Sequence, residues 1–175
     1  MNTSRSPRTA RPVDHLVLPT ADLDAARDRL ERLGFSVAPV GTHPFGTENV
    51  CVYLGDDSFL EFLAIGQRET CEAEARAGNV FVARDQSYRF RNGAEGFSAL
   101  VMGSGDAEAD HAAFVQSGIS AGPILNFSRP FVLPDGRKDK AGFRLAFAAD
   151  LRAPDAFFFT CQRVDAPKVD RAALQ

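Results

Sequence analysis

Two residues with chemical capability stand inside apolar, strand-like segments of this 175-residue chain: His15 in VDHLVLP and Glu61 in SFLEFLAI. An ionised carboxylate buried in such a segment is costly unless a cation, a metal or strong donors compensate it. Something must therefore face Glu61. Two arrangements meet that need: His15 and Glu61 converge as ligands of a divalent metal that keeps open positions for a substrate, or they hydrogen-bond each other as a satisfied core pair.

The elements that must position these groups repeat. Val13–Phe35 reads as strand, capped helix and Leu-Gly-Phe, and Phe97–Ile119 reads as strand, helix and Ser-Gly-Ile, offset by 84 residues. The position matching His15 in the second copy is Ala99, so the chemistry is asymmetric. In the first copy Thr20 or Asp22 caps a helix in which Leu23, Ala26, Leu30 and Leu33 recur at helical spacing, and Gly34 stops it. Strands are expected at Phe35–Val40, Asn49–Leu54 and Ser58–Ile65, with Gly55-Asp56-Asp57 as a tight turn between the last two. The polar stretch Glu69–Gly93 predicts one or two connecting helices. In the second copy the strand Phe97–Met102 and the helix Asp106–Gly118, with Phe114 in the place of Leu30, lead to strands near Gly122–Leu133, Gly142–Ala149 and Ala156–Gln162. The turn Pro134-Asp135-Gly136 separates the first two of these.

The pattern predicts an α+β fold of two tandem βαβββ modules. The boundaries are a disordered N-terminal tail at 1–12, a first module at 13–66, a helical linker at 67–95, a second module at 96–163 and a C-terminal tail at 164–175. Each right-handed crossover covers one face of its sheet and leaves the other free to curve around a cavity. Alternation along the strands sends Leu16 and Leu18 to the helix side and His15 and Val17 to the cavity, and puts Glu61 on a face with Phe59 and Leu63.

Composition narrows the function classes. A net charge of −3 offers no basic field for nucleic acid. No apolar run approaches the roughly 20 residues that span a bilayer, so neither a membrane nor a nucleic acid is expected as partner. Cys51, Cys71 and Cys161 are odd in number and widely spaced, which argues against a disulfide framework or structural zinc and fits a reducing cytoplasm. The opening MNTSRSPRTARP has no apolar core of the kind a secretory signal carries.

Further candidates surround the pair. Thr47 and Asn49 can donate and accept hydrogen bonds to a ligand or to their own loop. Arg129 in FSRPF and Arg144 in GFRLAF lie among apolar strand residues, where an inward guanidinium would either pair with Glu61 or bind an anionic substrate. The chain holds 15 phenylalanines and no tryptophan, so phenyl rings build most of the second-half core and some can line an apolar pocket. Cys161 has no base placed to activate it, and His111, mid-helix in DAEADHAAF, reads as solvated.

The phrases DHLVL, LERLGF and HPFGTENVCVYLGDDSFLEFLAI resemble the vicinal oxygen chelate superfamily, in particular its glyoxalase-like branch. The resemblance covers residues 13–65 and continues as a topological match, with FSRPFVLPDG and FFFTCQ, over 96–163. It implies paired modules whose curved mixed sheets form a barrel-like cleft, with a divalent metal (Fe, Mn, Zn or Ni) held by the first and last strands of each module. In the first module those ligand positions fall on His15 and Glu61. In the second they fall near Ala99 and around Phe158 to Thr160, none a metal ligand; Ser98 points away, and Gln162 is a neutral amide. The resemblance also places the loop of His43 beside the cleft, where His43 can be a third ligand, a substrate contact or a general acid/base together with Glu61. It implies either a metal-dependent lyase, isomerase or dioxygenase acting on a small substrate with vicinal oxygens, or a metal-free, resistance-type protein that binds a small molecule. It further implies pairing as a homodimer.

Overall fold

The computed structural model describes residues 10–132 and 138–164. Within them the chain runs β1 (Val13–Pro19), α1 (Leu23–Arg32), β2 (Gly41–Thr42), β3 (Thr47–Tyr53), β4 (Phe59–Ile65), α2 (Arg68–Arg76), α3 (Val80–Asn92), β5 (Ala99–Gly103), α4 (Ala107–Gln116), β6 (Leu125–Val132), β7 (Lys138–Ala148) and β8 (Phe157–Val164). The turn expected at Pro134-Asp135-Gly136 and most of both expected tails lie outside the described residues.

The strands form one mixed sheet in the order β2-β3-β4-β1-β5-β8-β7-β6. Its two halves mirror each other: β1 runs parallel to β4, β5 runs parallel to β8, and β1 and β5 meet antiparallel in the middle. The sheet curls until it nearly closes into a barrel. Its far ends meet through side chains, Arg129 on β6 donating to Asn49 on β3 at 3.3 Å.

The α1 helix starts where the sequence predicts, with the Asp22 carboxylate accepting from the backbone of Asp24 and Ala25. It covers the outer face of the first half-sheet, where Leu23 packs with Val50, Ala64 and Phe62. The inner face carries the main core, built from Val17, Leu63, Val101, Phe147 and Phe159. The linker forms two helices, and α3 plugs one end of the barrel with Phe81 and Val82. Arg89 locks that plug by donating to the carbonyls of Leu63 and Thr20 while it pairs with Asp85 at 2.8 Å.

Two expectations are corrected. Phe35–Val40 is not a strand; only Gly41–Thr42 pairs with β3. The segment makes one backbone bond to β3, Ala38 N–H to the carbonyl of Cys51, Pro39 has no N–H to give, and the Arg27 guanidinium takes the carbonyls of Val37 and Ala38. His111 is half-buried rather than solvated, and its Nδ1 has no hydrogen-bond partner.

Candidate functional site

One end of the barrel opens as a cleft with an empty volume of about 460 Å³, mouth included, whose charged and titratable lining is Asp14, His15, His43, Glu61, Arg129 and Arg163. Strand alternation delivers His15 from β1 and Glu61 from β4 to this space, as expected. His15 Nε2 stands 3.4 Å from Glu61 Oε2. His43 arrives from a tight turn in which its N–H and carbonyl bond Thr47 and Gly46. Gly46 has φ of 92°, and a side chain there would strike the backbone of Gln67, so glycine is required for that turn. His43 Nε2 lies 3.8 Å from Glu61 Oε1, and its Nδ1 lies 2.9 Å from the Thr47 hydroxyl. The Asn49 side-chain amide donates to Glu61 Oε1. Of the sequence candidates, His15, His43, Thr47, Asn49, Glu61 and Arg129 are thus brought together. Arg144 is not: it sits on the opposite face of β7 from Phe143 and Leu145 and is exposed.

Sequence reading missed Asp14 and Arg163. Strict alternation would send Asp14 away from the face of His15. The pairing of β1 with β5 slips by one residue between Val13 and His15, a β-bulge that turns both neighbours into the cleft. The Asp14 carboxylate then accepts from His15 Nδ1 at 2.6 Å and pairs with Arg163 at 2.8 Å. The result is a continuous polar line, Arg163 to Asp14 to His15 to Glu61, continued through Asn49 to Arg129. Nothing in the sequence pattern marks the bulge.

The environment sets the charges. Burial alone would raise Glu61, but the His15 hydrogen bond, the charge of His15, that of His43 once it is protonated in acid, and the Asn49 amide hold its carboxyl well below the usual range. Burial works against a charge on His15, yet the hydrogen bonds to Asp14 and Glu61 raise its pKa above the ordinary imidazole value. His43 goes the other way, pushed down to about 4 by burial, with the nearby Arg129 and His15 adding to the shift against Glu61's pull. His43 is therefore neutral at pH 7. Cys161 lines the same cleft, but burial pushes its thiol up to about 12, which leaves it inert.

The strand registers identify the second-half counterparts. His15 lies opposite Phe59 where Ala99 lies opposite Phe157, so Glu61 corresponds to Phe159. Both second-half ligand positions are therefore apolar. Ser98 donates to the carbonyl of Val17, and Gln162 bonds Ala107 and Gly105 on the outside, so neither substitutes. His15 and His43 both approach Glu61, yet among the described residues no three His, Cys, Asp or Glu side chains are arranged so as to hold a metal ion. His15 has the carboxylate-backed Nδ1 typical of a metal-bound imidazole, yet its partner Glu61 is already served by two histidines and an amide. The donor set supplies half of a divalent-metal site and does not fit a complete one.

A family model described as a glyoxalase-like domain matches residues 13–174. Among solved structures, a variant of Streptomyces coelicolor methylmalonyl-CoA epimerase in complex with 2-nitronate-propionyl-CoA is 19% identical, covers 88% of this chain and 98% of its own, and superposes with a TM-score of 0.57. A methylmalonyl-CoA epimerase in complex with methylmalonyl-CoA and NH4+ is 18% identical over 93% of this chain and 100% of its own, with a TM-score of 0.59. A hypothetical protein from Staphylococcus aureus is 16% identical over 87% of this chain and 59% of its own, with a TM-score of 0.61. At these identities the likeness concerns the fold. Among proteins with curated functions, none matches this sequence.

Proposed function

The chain belongs to the glyoxalase-like domain family, and on that premise we propose that its cleft binds a small organic substrate with adjacent oxygens and catalyses a proton transfer on it, as an isomerase or lyase. The observation that carries this reading is one carboxylate, Glu61, held ionised between two differently tuned histidines in a space walled by phenyl rings. Its donors keep Glu61 ionised and ready to accept a proton, and exclusion of water by a bound substrate offsets part of the basicity that its lowered pKa costs. Glu61 removes the proton from carbon. Asn49 holds Oε1, and His15, fixed by Asp14, stands 3.4 Å from Oε2, so the carboxylate is aimed by both oxygens and acts through the remaining lone pair of Oε2. His43 is uncharged at neutral pH and lies beside Glu61, so its Nε2 can take up a proton and then return it to the substrate, with Thr47 setting its ring. Arg129 meets the oxygens on which negative charge develops.

A divalent metal would polarise the same oxygens if bound, but the half-set of donors supports neither a step through it nor the oxygen-cleaving chemistry of a dioxygenase. Solved structures that share the fold are named methylmalonyl-CoA epimerases, and an epimerase is an isomerase, which agrees in kind with this reading. The second reading is a metal-free binding protein, favoured by the apolar Ala99 and Phe159 at the second-half positions.

Deuterium uptake from D2O tests the choice. With 2-oxobutyrate and hydroxyacetone as probes in chelator-containing buffer, the wild type is expected to exchange the C–H next to the carbonyl, and Glu61→Gln to lose at least about 100-fold of that rate. Probe binding without exchange selects the binding protein. Exchange that vanishes with chelator and returns with a metal contradicts the metal-independent mechanism.

A further inference from the structure

Among the described residues two guanidinium groups enter the cleft, and they are not equivalent. Arg163 is spent: it pairs with both oxygens of Asp14, at 2.8 and 3.0 Å, and its carbon lies 5.9 Å over the Phe59 ring. Arg129 has no carboxylate partner among the described residues. Its one hydrogen bond there goes to the neutral carbonyl oxygen of Asn49, at 3.3 Å, and its carbon lies 5.7 Å over the ring of Phe143. The room for it is built in. A Cβ added at Gly41 would collide with both Arg129 Nη1 and Asn49 Oδ1, so the bare glycine lets the guanidinium lie against the edge of β2. The guanidinium is half-buried, with most of its donors unused, at the rim of a space walled by Phe45, Phe59, Phe81, Phe127, Phe143 and Phe159.

A half-buried guanidinium calls for a planar anion that can take two parallel hydrogen bonds. The other three fixed charges of the cleft, Asp14, Glu61 and Arg163, are already engaged with one another or with His15. Resting on the proton-transfer reading above, we infer that the substrate is a compact monocarboxylate: its carboxylate docks on Arg129, its apolar body lies between the phenyl walls, and the Asn49 bridge sets the reacting carbon over Glu61. Among the described residues, one free cation of the cleft matches one negative charge. A phosphate dianion or a nucleotide-bearing thioester would leave negative charge uncompensated against Glu61 and Asp14, and the narrow space between the phenyl walls favours a small body.

Calorimetric titration with monocarboxylates from acetate to phenylacetate and benzoate, set against benzamide, phenyl phosphate and benzoyl-CoA, tests this on the wild type, Arg129→Gln, Arg129→Lys and Glu61→Gln. The expected result is binding of at least one aromatic carboxylate at least tenfold tighter than benzamide or phenyl phosphate. Arg129→Gln should lose about 10- to 100-fold of carboxylate affinity with benzamide affinity unchanged, Arg129→Lys should restore part of it, and Glu61→Gln should keep the preference. A preference that survives Arg129→Gln, tighter binding of benzoyl-CoA than of benzoate, or no carboxylate binding at all overturns the inference. Carboxylate binding without deuterium exchange leaves it standing while the enzymatic reading falls, and exchange on hydroxyacetone with no carboxylate preference does the reverse.

Discussion

The two halves of this barrel are built on one plan and have been put to different uses. In the first half, the opening and closing strands present His15 and Glu61 to the cavity; in the second, the same register positions present Ala99 and Phe159. The second half instead contributes Arg163, which steadies the first half's histidine through Asp14, and Arg129, which reaches across to Asn49. A topology with internal symmetry thus supports a one-sided site: one half holds the reactive groups, and the other supplies apolar wall and positive charge. The helices differ likewise. Leu30 of α1 is buried, whereas Phe114, its counterpart on α4, is only half-buried.

The sharpest way to break this comparison is to remove the reactive carboxylate. Glu61→Ala should lower exchange or turnover about a thousandfold, the range for a positioned acid or base, whereas Phe159→Leu at the matching position should leave the chemistry within a few-fold; steady-state rates with each variant check the contrast. Next in size is the difference between the helices. Leu30→Ala should cost about 3 kcal/mol and Phe114→Ala about 1 kcal/mol by urea unfolding, because truncation is costly only where a cavity results. A third test restores the symmetry. Ala99→His combined with Phe159→Glu would place the missing donors, and zinc at 100 times its dissociation constant should then stabilise the double variant by about 2.7 kcal/mol and leave the wild type unmoved, as thermal unfolding with and without the ion would reveal.

The smallest effect concerns pH. His43 titrates near 4 in the folded protein, below its ordinary value of 6.5, so between those values the unfolded chain binds more protons and the native state loses stability on acidification. His15 shifts upward; its contribution is complete below pH 6.5 and is lost only as pH rises through its folded pKa. Glu61 shifts downward, and its contribution begins to fade only below about pH 4.5. Of these three cleft groups only His43 titrates chiefly in the window from pH 6 to 4.5, where His43→Gln should flatten the stability slope by at most about 1.4 kcal/mol per pH unit.

Much of this was legible in the chain. The repeat of strand, capped helix and glycine stop is local, and apolar alternation placed His15 and Glu61 on one face because both side-chain periods are fixed by backbone geometry. What escaped was non-local or irregular. The bulge at Asp14 depends on how β5 pairs with β1, so the Asp14–His15–Arg163 line has no signature in the spacing of β1 alone. Phe35–Val40 looked like a strand because apolar content does not report that Arg27 would occupy its carbonyls. The inward turn of Arg129 and outward turn of Arg144 were undecidable without the register of β6 on β7, and His43 looked like a loop residue although its side chain is 6% exposed.

The chemistry rests on Glu61 being held ionised by protein groups, in a site the second half does not complete for a metal. Metal content of protein purified without chelator, by plasma mass spectrometry on the wild type and Glu61→Gln, addresses this directly. Far less than one ion per chain is predicted in both; one divalent ion per wild-type chain that disappears in Glu61→Gln would contradict it.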